Sequence, residues 1–154
     1  MAKKLRIGDV LEIETQRGLA YAQYTHRNEK FGSLIRVLPG FFLTRPKSLA
    51  DLVRGPSSFV VFYPVRAAIS QKVAKVVINE PVPEHAREFP LFRSGTPDPI
   101  TNKVQTWWFW DGERGWPVGS LTPEQLKMPI RMIVNHTGLV QLINDEWKPE
   151  NDKS

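Results

Sequence analysis

The 154-residue chain is 41% hydrophobic with a net charge of +5, the balance of one folded domain rather than a disordered tail. It has no cysteine, which excludes disulfides, thiolate metal sites and cysteine nucleophiles. No apolar run approaches the ~20 residues of a membrane span, and the basic start Met1-Ala2-Lys3-Lys4 leads into no apolar signal segment, so a cytoplasmic location is expected.

In chain order, Gly8-Asp9 turns into a first strand, Val10–Thr15, and the turn Gln16-Arg17-Gly18 leads to a second, Leu19–Thr25. In the second, Leu19, Tyr21 and Gln23 alternate with Ala20, Ala22 and Tyr24, the pattern of a sheet packed on one side. Glu12 and Glu14 share one strand face and fit a solvent-facing edge. Leu34–Leu38 is a third strand, stopped by Pro39-Gly40. Ser48 caps a short helix, Leu49–Val53, and Phe59–Tyr63 is an inner strand. Val65–Gln71 stays open between helix and strand; Ala74–Ile78 is assigned to a strand because Val76, Val77 and Ile78 are β-branched.

Pro83 opens a helical turn or two over Glu84–Phe89, and Pro97-Asp98-Pro99 marks a loop. Gln105–Trp110 is a strand followed by an Asp111-Gly112 turn. Thr122-Pro123-Glu124-Gln125 has the residues of a capping box, with Pro129 keeping that helix short. A last helix, Gly138–Trp147, puts Leu139, Leu142, Ile143 and Trp147 on one face. The fold expected is α+β: one β-rich domain over residues 1–147, built on a twisted antiparallel sheet or a partly closed barrel with a few short helices and a C-terminal helix. The polar tail 148–154 is expected to fray.

The charge is unevenly placed. Residues 1–77 hold 13 Lys and Arg against 5 Asp and Glu, whereas residues 78–154 are net acidic. This is either a basic face for an acidic partner or a surface whose asymmetry vanishes in the fold, and the second reading is favoured.

No residue pattern reads as a catalytic centre, and neither a cofactor nor a metal is expected. His26, His85 and His136 lack helical metal-ligand spacing; His26 and His85 read as surface groups and His136 as a cap-region residue. There is no G-x-S-x-G elbow and no phosphate-binding glycine motif. Two segments read as contact candidates instead. In Trp107-Trp108-Phe109-Trp110, alternation puts Trp107 and Phe109 on one side and Trp108 and Trp110 on the other. The second side is either covered, the favoured reading, or a contact patch. In the second segment, Pro39-Gly40-Phe41-Phe42-Leu43-Thr44-Arg45, Phe41 and Phe42 lie among Arg36, Arg45, Lys47 and Arg54, and a binding loop and a turn into a buried strand weigh equally there.

Ile7-Gly8-Asp9-Val10 with Ala20-Tyr21-Ala22 resembles the opening of the immunity protein 26 family of bacterial polymorphic-toxin systems. The similarity recurs at Val76-Val77-Ile78-Asn79-Glu80-Pro81-Val82-Pro83, at Phe89-Pro90-Leu91-Phe92-Arg93, and at Met128-Pro129-Ile130 with Leu139–Trp147, covering about residues 5–147. Asn79 stands where that family usually has glycine. The resemblance implies an antitoxin that binds a cognate toxin domain and needs no chemistry of its own. Because nuclease inhibitors often carry acidic surfaces, this basic chain implies a partner that is acidic or is not a nuclease. The rival readings are a phosphotriesterase-like hydrolase, since some relatives carry that label, and a basic nucleic-acid-binding module; nucleic acid is disfavoured as a partner.

Overall fold

Gly8, at φ 98°, turns the chain into the first strand with its Cα against the Glu80 carbonyl, where a side chain would collide. From there the computed structural model, which describes residues 4–154, builds an α+β fold on two antiparallel sheets that do not close into a barrel. The larger sheet has the order β4-β3-β2-β1-β5, from β1 (Asp9–Thr15), β2 (Gly18–Asn28), β3 (Gly32–Val37), β4 (Phe59–Phe62) and β5 (Lys75–Asn79). The β1–β2 hairpin pairs Leu11 with Ala22 and Glu12 with Tyr21. Thr15 Oγ1 donates to the Gly18 carbonyl, 2.7 Å away, across the turn.

This sheet is covered on both faces, which corrects the expectation of one packed side. Leu11, Ile13, Ala20, Ala22, Ile35, Val37 and Val61 face a core closed by α2 (Val65–Ser70) and α3 (His136–Asn144). Val10 and Tyr21 face the other way, with Leu38 and with Leu49 and Val53 of α1 (Leu49–Arg54). Burial on both sides explains why β2 is enclosed from Ala20 to Thr25 whatever the parity of the position. The open segment Val65–Gln71 resolves as helix, with Val65 and Ala68 buried and Lys72 at φ 62° turning the chain into β5. Asn135 caps α3 by accepting the Gly138 amide at 2.7 Å, so the helix starts two residues before the expected Gly138 and ends at Asn144. Trp147 lies beyond it yet still packs on Phe59.

The smaller sheet has the order β6-β7-β8, from β6 (Phe92–Ser94), β7 (Trp107–Trp110) and β8 (Gly115–Gly119). The Asp111 carboxylate accepts the amides of Glu113 and Arg114 and closes the β7–β8 turn. Pairing begins only at Trp107, two residues later than expected. Strand β8 was not expected at all. Ile130–Val134 joins the sheets: Phe62 bonds Met132 and Val134 through its backbone, and Arg93 bonds Pro129 and Arg131 in the same way. Phe62, Phe92 and Trp110 meet at the junction, with Phe31 and Phe89 packed on them.

Thr122 and Gln125 form the reciprocal capping box, but only one 3-10 turn, Gln125–Lys127, follows before Pro129. Glu84–Ala86 is likewise one 3-10 turn. The tail is docked rather than frayed: Pro149 is buried in a third such turn, and its carbonyl accepts from Arg93 Nη2 at 2.9 Å. No helix among the described residues is long and apolar enough to cross a membrane.

Candidate partner-binding surface

Glu12 sits on the centre of the α1 face, 9% exposed, and corrects the expectation of a solvent-facing edge. Tyr21, its cross-strand neighbour, donates its hydroxyl to Glu12 Oε2 at 2.8 Å. Arg45 reaches in from the loop before α1 and donates Nε to the same oxygen at 2.7 Å, with Lys75 Nζ of β5 at 3.6 Å from the other. The guanidinium holds the Glu12 carboxyl below the usual carboxylate range, against the opposing effect of burial. Burial and the adjacent carboxylate push the Tyr21 hydroxyl up to about 12. Each Glu12 oxygen has a cationic neighbour, so the cluster works as a clamp between loop and sheet.

The clamped loop is Pro39–Lys47. At its start Leu19 and Phe42 exchange two backbone hydrogen bonds, of 2.7 and 2.9 Å. The Phe42 ring meets Tyr21 edge to face, and Phe41 lies under the Arg17 guanidinium, 4.2 Å from it. Both rings are half-buried, so they support the loop more than they offer it to a partner. Between these contacts and the Arg45 clamp stands Leu43, 97% exposed. An almost fully exposed leucine on a loop held at both ends is suited to enter a partner's apolar pocket. Arg45 and Lys47 on the same loop and Arg54 on α1 are exposed, with Arg54 paired to Asp51.

Three of the residues singled out from sequence change role. Arg36 is fully buried: it donates to Gln23 Oε1, Ser57 Oγ and the carbonyls of Val53 and Gly55 at 2.7–3.0 Å. The carbonyls at the end of α1 accept its donors in place of a carboxylate. Trp110 is also buried, under the Phe62–Phe92 cluster, and is removed from the contact candidates. His26 is tied to the core edge, through the Arg87 carbonyl and the Phe89 ring, rather than free on the surface. Trp108 stays 43% exposed, so the aromatic strand is not buried on both sides, but it lies in the smaller sheet, apart from the loop. The structure thus unites Phe41, Phe42, Arg45 and Lys47 on one loop, with Arg54 on the helix that follows. Leu43 was missed. The signal was the third apolar residue in Phe41-Phe42-Leu43, just before Thr44-Arg45.

No family model matches the chain, and no curated protein or solved structure is significantly similar to it. The surface has to be read from its own chemistry. Beside the clamp, a cleft of about 1160 Å³ opens along β5, floored by Ile69, Val73, Val76 and Ile78. Lys4, Arg6, Lys72 and Lys75 line it with Asp9, Glu12 and Glu14. Asp9 is occupied by the Arg6 amide and by Asn79, as Glu12 is by Arg45. His136 lies at the cleft, its Nδ1 2.9 Å from the Tyr63 hydroxyl, and burial pulls its imidazole below the ordinary value. Among the described residues, no three His, Asp or Glu side chains converge where a metal ion would be held.

Proposed function

We propose that this protein is an immunity protein, an antitoxin that binds a cognate bacterial toxin domain in the cytoplasm and neutralises it by protein–protein contact. The observation that carries this reading is Leu43, exposed at the tip of a loop fixed by the Leu19–Phe42 bonds and the Arg45–Glu12 pair. A rigid loop loses little conformational entropy when it docks, so more of its contact energy appears as affinity. The ordered short resemblances to the immunity protein 26 family, from Ile7-Gly8-Asp9-Val10 to the C-terminal helix, favour the same reading.

Lys47, exposed on the same loop as the leucine, favours an acidic docking surface with an apolar pocket, whereas Arg45 and Arg54 are already paired with Glu12 and Asp51. The toxin is therefore one whose docking surface is acidic, or one that is not a nuclease.

The test is co-expression with a candidate toxin domain taken from a neighbouring gene. Wild-type protein restores growth and co-purifies with that domain. Leu43→Asp, a change at an exposed position, folds normally and loses both. A wild-type protein that neither rescues growth nor forms a complex overturns the reading.

A further inference from the structure

The smaller sheet carries an unassigned pocket of about 800 Å³, independent of the Leu43 loop. Ser94 and Trp108 stand directly opposite across β6 and β7, so their side chains share one face. Trp110, two residues along β7, shares that face by alternation. Arg131 lies over it, its guanidinium 5.1 Å from the Trp110 ring and 4.9 Å from Phe31. That guanidinium is half-buried and forms neither a hydrogen bond nor an ion pair among the described residues. Trp110 is sealed below it, while Trp108 is 43% exposed in the same pocket.

The facing wall is the long connection from Gly95 to Thr106, and it has a built shape. Pro97 and Val104 form a bridge, and the Asp98 amide donates to the Lys103 carbonyl at 2.8 Å. The Asp98 carboxylate accepts the amides of Ile100 and Thr101. Gly95 packs so closely on Val104 that a side chain there would collide with it. A twelve-residue connection ordered this thoroughly is of the kind that forms binding sites.

We infer that the pocket of Ser94, Trp108 and Arg131 binds a mononucleotide, its base stacked on the Trp108 indole and its phosphate paired with the Arg131 guanidinium. An indole face open to water in a concave site is suited to a planar heterocycle. A half-buried guanidinium with an unpaired fork is suited to the two oxygens of a phosphate. Ser94 adds a hydroxyl on the same face, and the Asp98 and Asp152 carboxylates in the lining accept from ribose hydroxyls while repelling phosphate from their end. The volume lies within the range of small-molecule sites.

The test follows the indole N–H signals of the full chain by NMR, with the Trp108 signal assigned by its loss in Trp108→Phe. The probes are adenosine monophosphate, adenosine and inorganic phosphate. Adenosine monophosphate shifts the Trp108 signal saturably, and binds about tenfold or more tighter than either adenosine or phosphate alone. Trp108→Ala, which lacks that signal and is followed instead by calorimetric titration with adenosine monophosphate, abolishes binding. Arg131→Lys keeps the cation but loses the fork, and it narrows the preference for adenosine monophosphate over adenosine. No saturable shift at about 10 mM adenosine monophosphate overturns the inference. So does phosphate binding as tightly as the nucleotide, which marks a general anion site, and so does an Arg131→Lys chain that folds and keeps the full preference. None of these outcomes depends on whether a toxin domain is bound.

Discussion

Arg45 Nε lies 2.7 Å from Glu12 Oε2, a contact that spans 33 residues of sequence and fastens an exposed loop to the middle of a sheet. The same carboxylate takes the Tyr21 hydroxyl and neighbours Lys75, so it ties β1, β2, β5 and the loop together. Loss of that charge loosens all four at once.

Acid should therefore destabilise the fold through Glu12. Its folded pKa is held below the ordinary value of 4.5, chiefly by Arg45, so its contribution is full above that value and is lost as pH falls through the folded pKa. His136 acts in the same direction at higher pH, because burial lowers it from 6.5 and its protonation costs stability below that point. Thermal melts should show a first decline below about pH 6.5 that His136→Gln removes, and a second below about pH 4.5 that Glu12→Gln flattens.

Leu43→Asp should leave stability within about 0.5 kcal/mol of wild type, since the side chain is 97% exposed. Calorimetric titration with the toxin domain should show at least a hundredfold loss of affinity, the equivalent of roughly 2.7 kcal/mol. Arg45→Ala should weaken binding as well, and should also speed amide exchange across Pro39–Lys47 by releasing the clamp.

Arg36→Met should destabilise by about 2–4 kcal/mol in urea unfolding. The methionine fills similar space but strands Gln23 Oε1 and the Val53 carbonyl away from water and unpairs the half-buried Ser57 Oγ and Gly55 carbonyl. A change below about 0.5 kcal/mol would show that this buried network adds nothing to stability.

Gly8→Ala should cost roughly 2 kcal/mol or more, because the residue has a positive φ and a methyl group there meets the Glu80 backbone. Urea midpoints for this variant and for Gly32→Ala separate the two causes. Gly32 also has a positive φ but open space beside it, so it should show the strain alone.

Deleting residues 149–154 should lower the melting temperature. Arg93 is buried, with Nε and Nη1 already unpaired, and the deletion takes the Pro149 carbonyl from Nη2. Among the described residues, Nη2 then keeps the Leu126 carbonyl at 3.2 Å as its hydrogen-bond acceptor, and the guanidinium its stacking on Trp107. The expected loss is about 1–3 kcal/mol, read from calorimetric melts.

Local patterns in the chain reported local structure well. The β1–β2 hairpin, the Ser48 cap, the Thr122–Gln125 box and the Asp111-Gly112 turn all form from residues within a few positions of one another. Strand β8 escaped notice because Gly115-Trp116-Pro117-Val118-Gly119 has no alternation and contains a proline, which an edge strand tolerates. Glu12 and Arg36 were misread for another reason. A charged side chain suggests solvent unless its partners are known, and those partners lie 9 to 63 residues away. Of the candidate surface, the basic and aromatic residues of the loop were legible; that Arg45 turns inward and leaves Leu43 outermost was not, because only the tertiary fold decides it.

The Ile130–Val134 seam has a consequence for biogenesis. The larger sheet takes its last strand from residues 75–79 and the smaller from residues 115–119, yet the seam that joins them comes later in the chain. During synthesis, both sheets can emerge from the ribosome before the segment that unites them. Their assembly into one body is therefore a final event, and until then the Phe62 and Arg93 backbone edges are left open to mispairing.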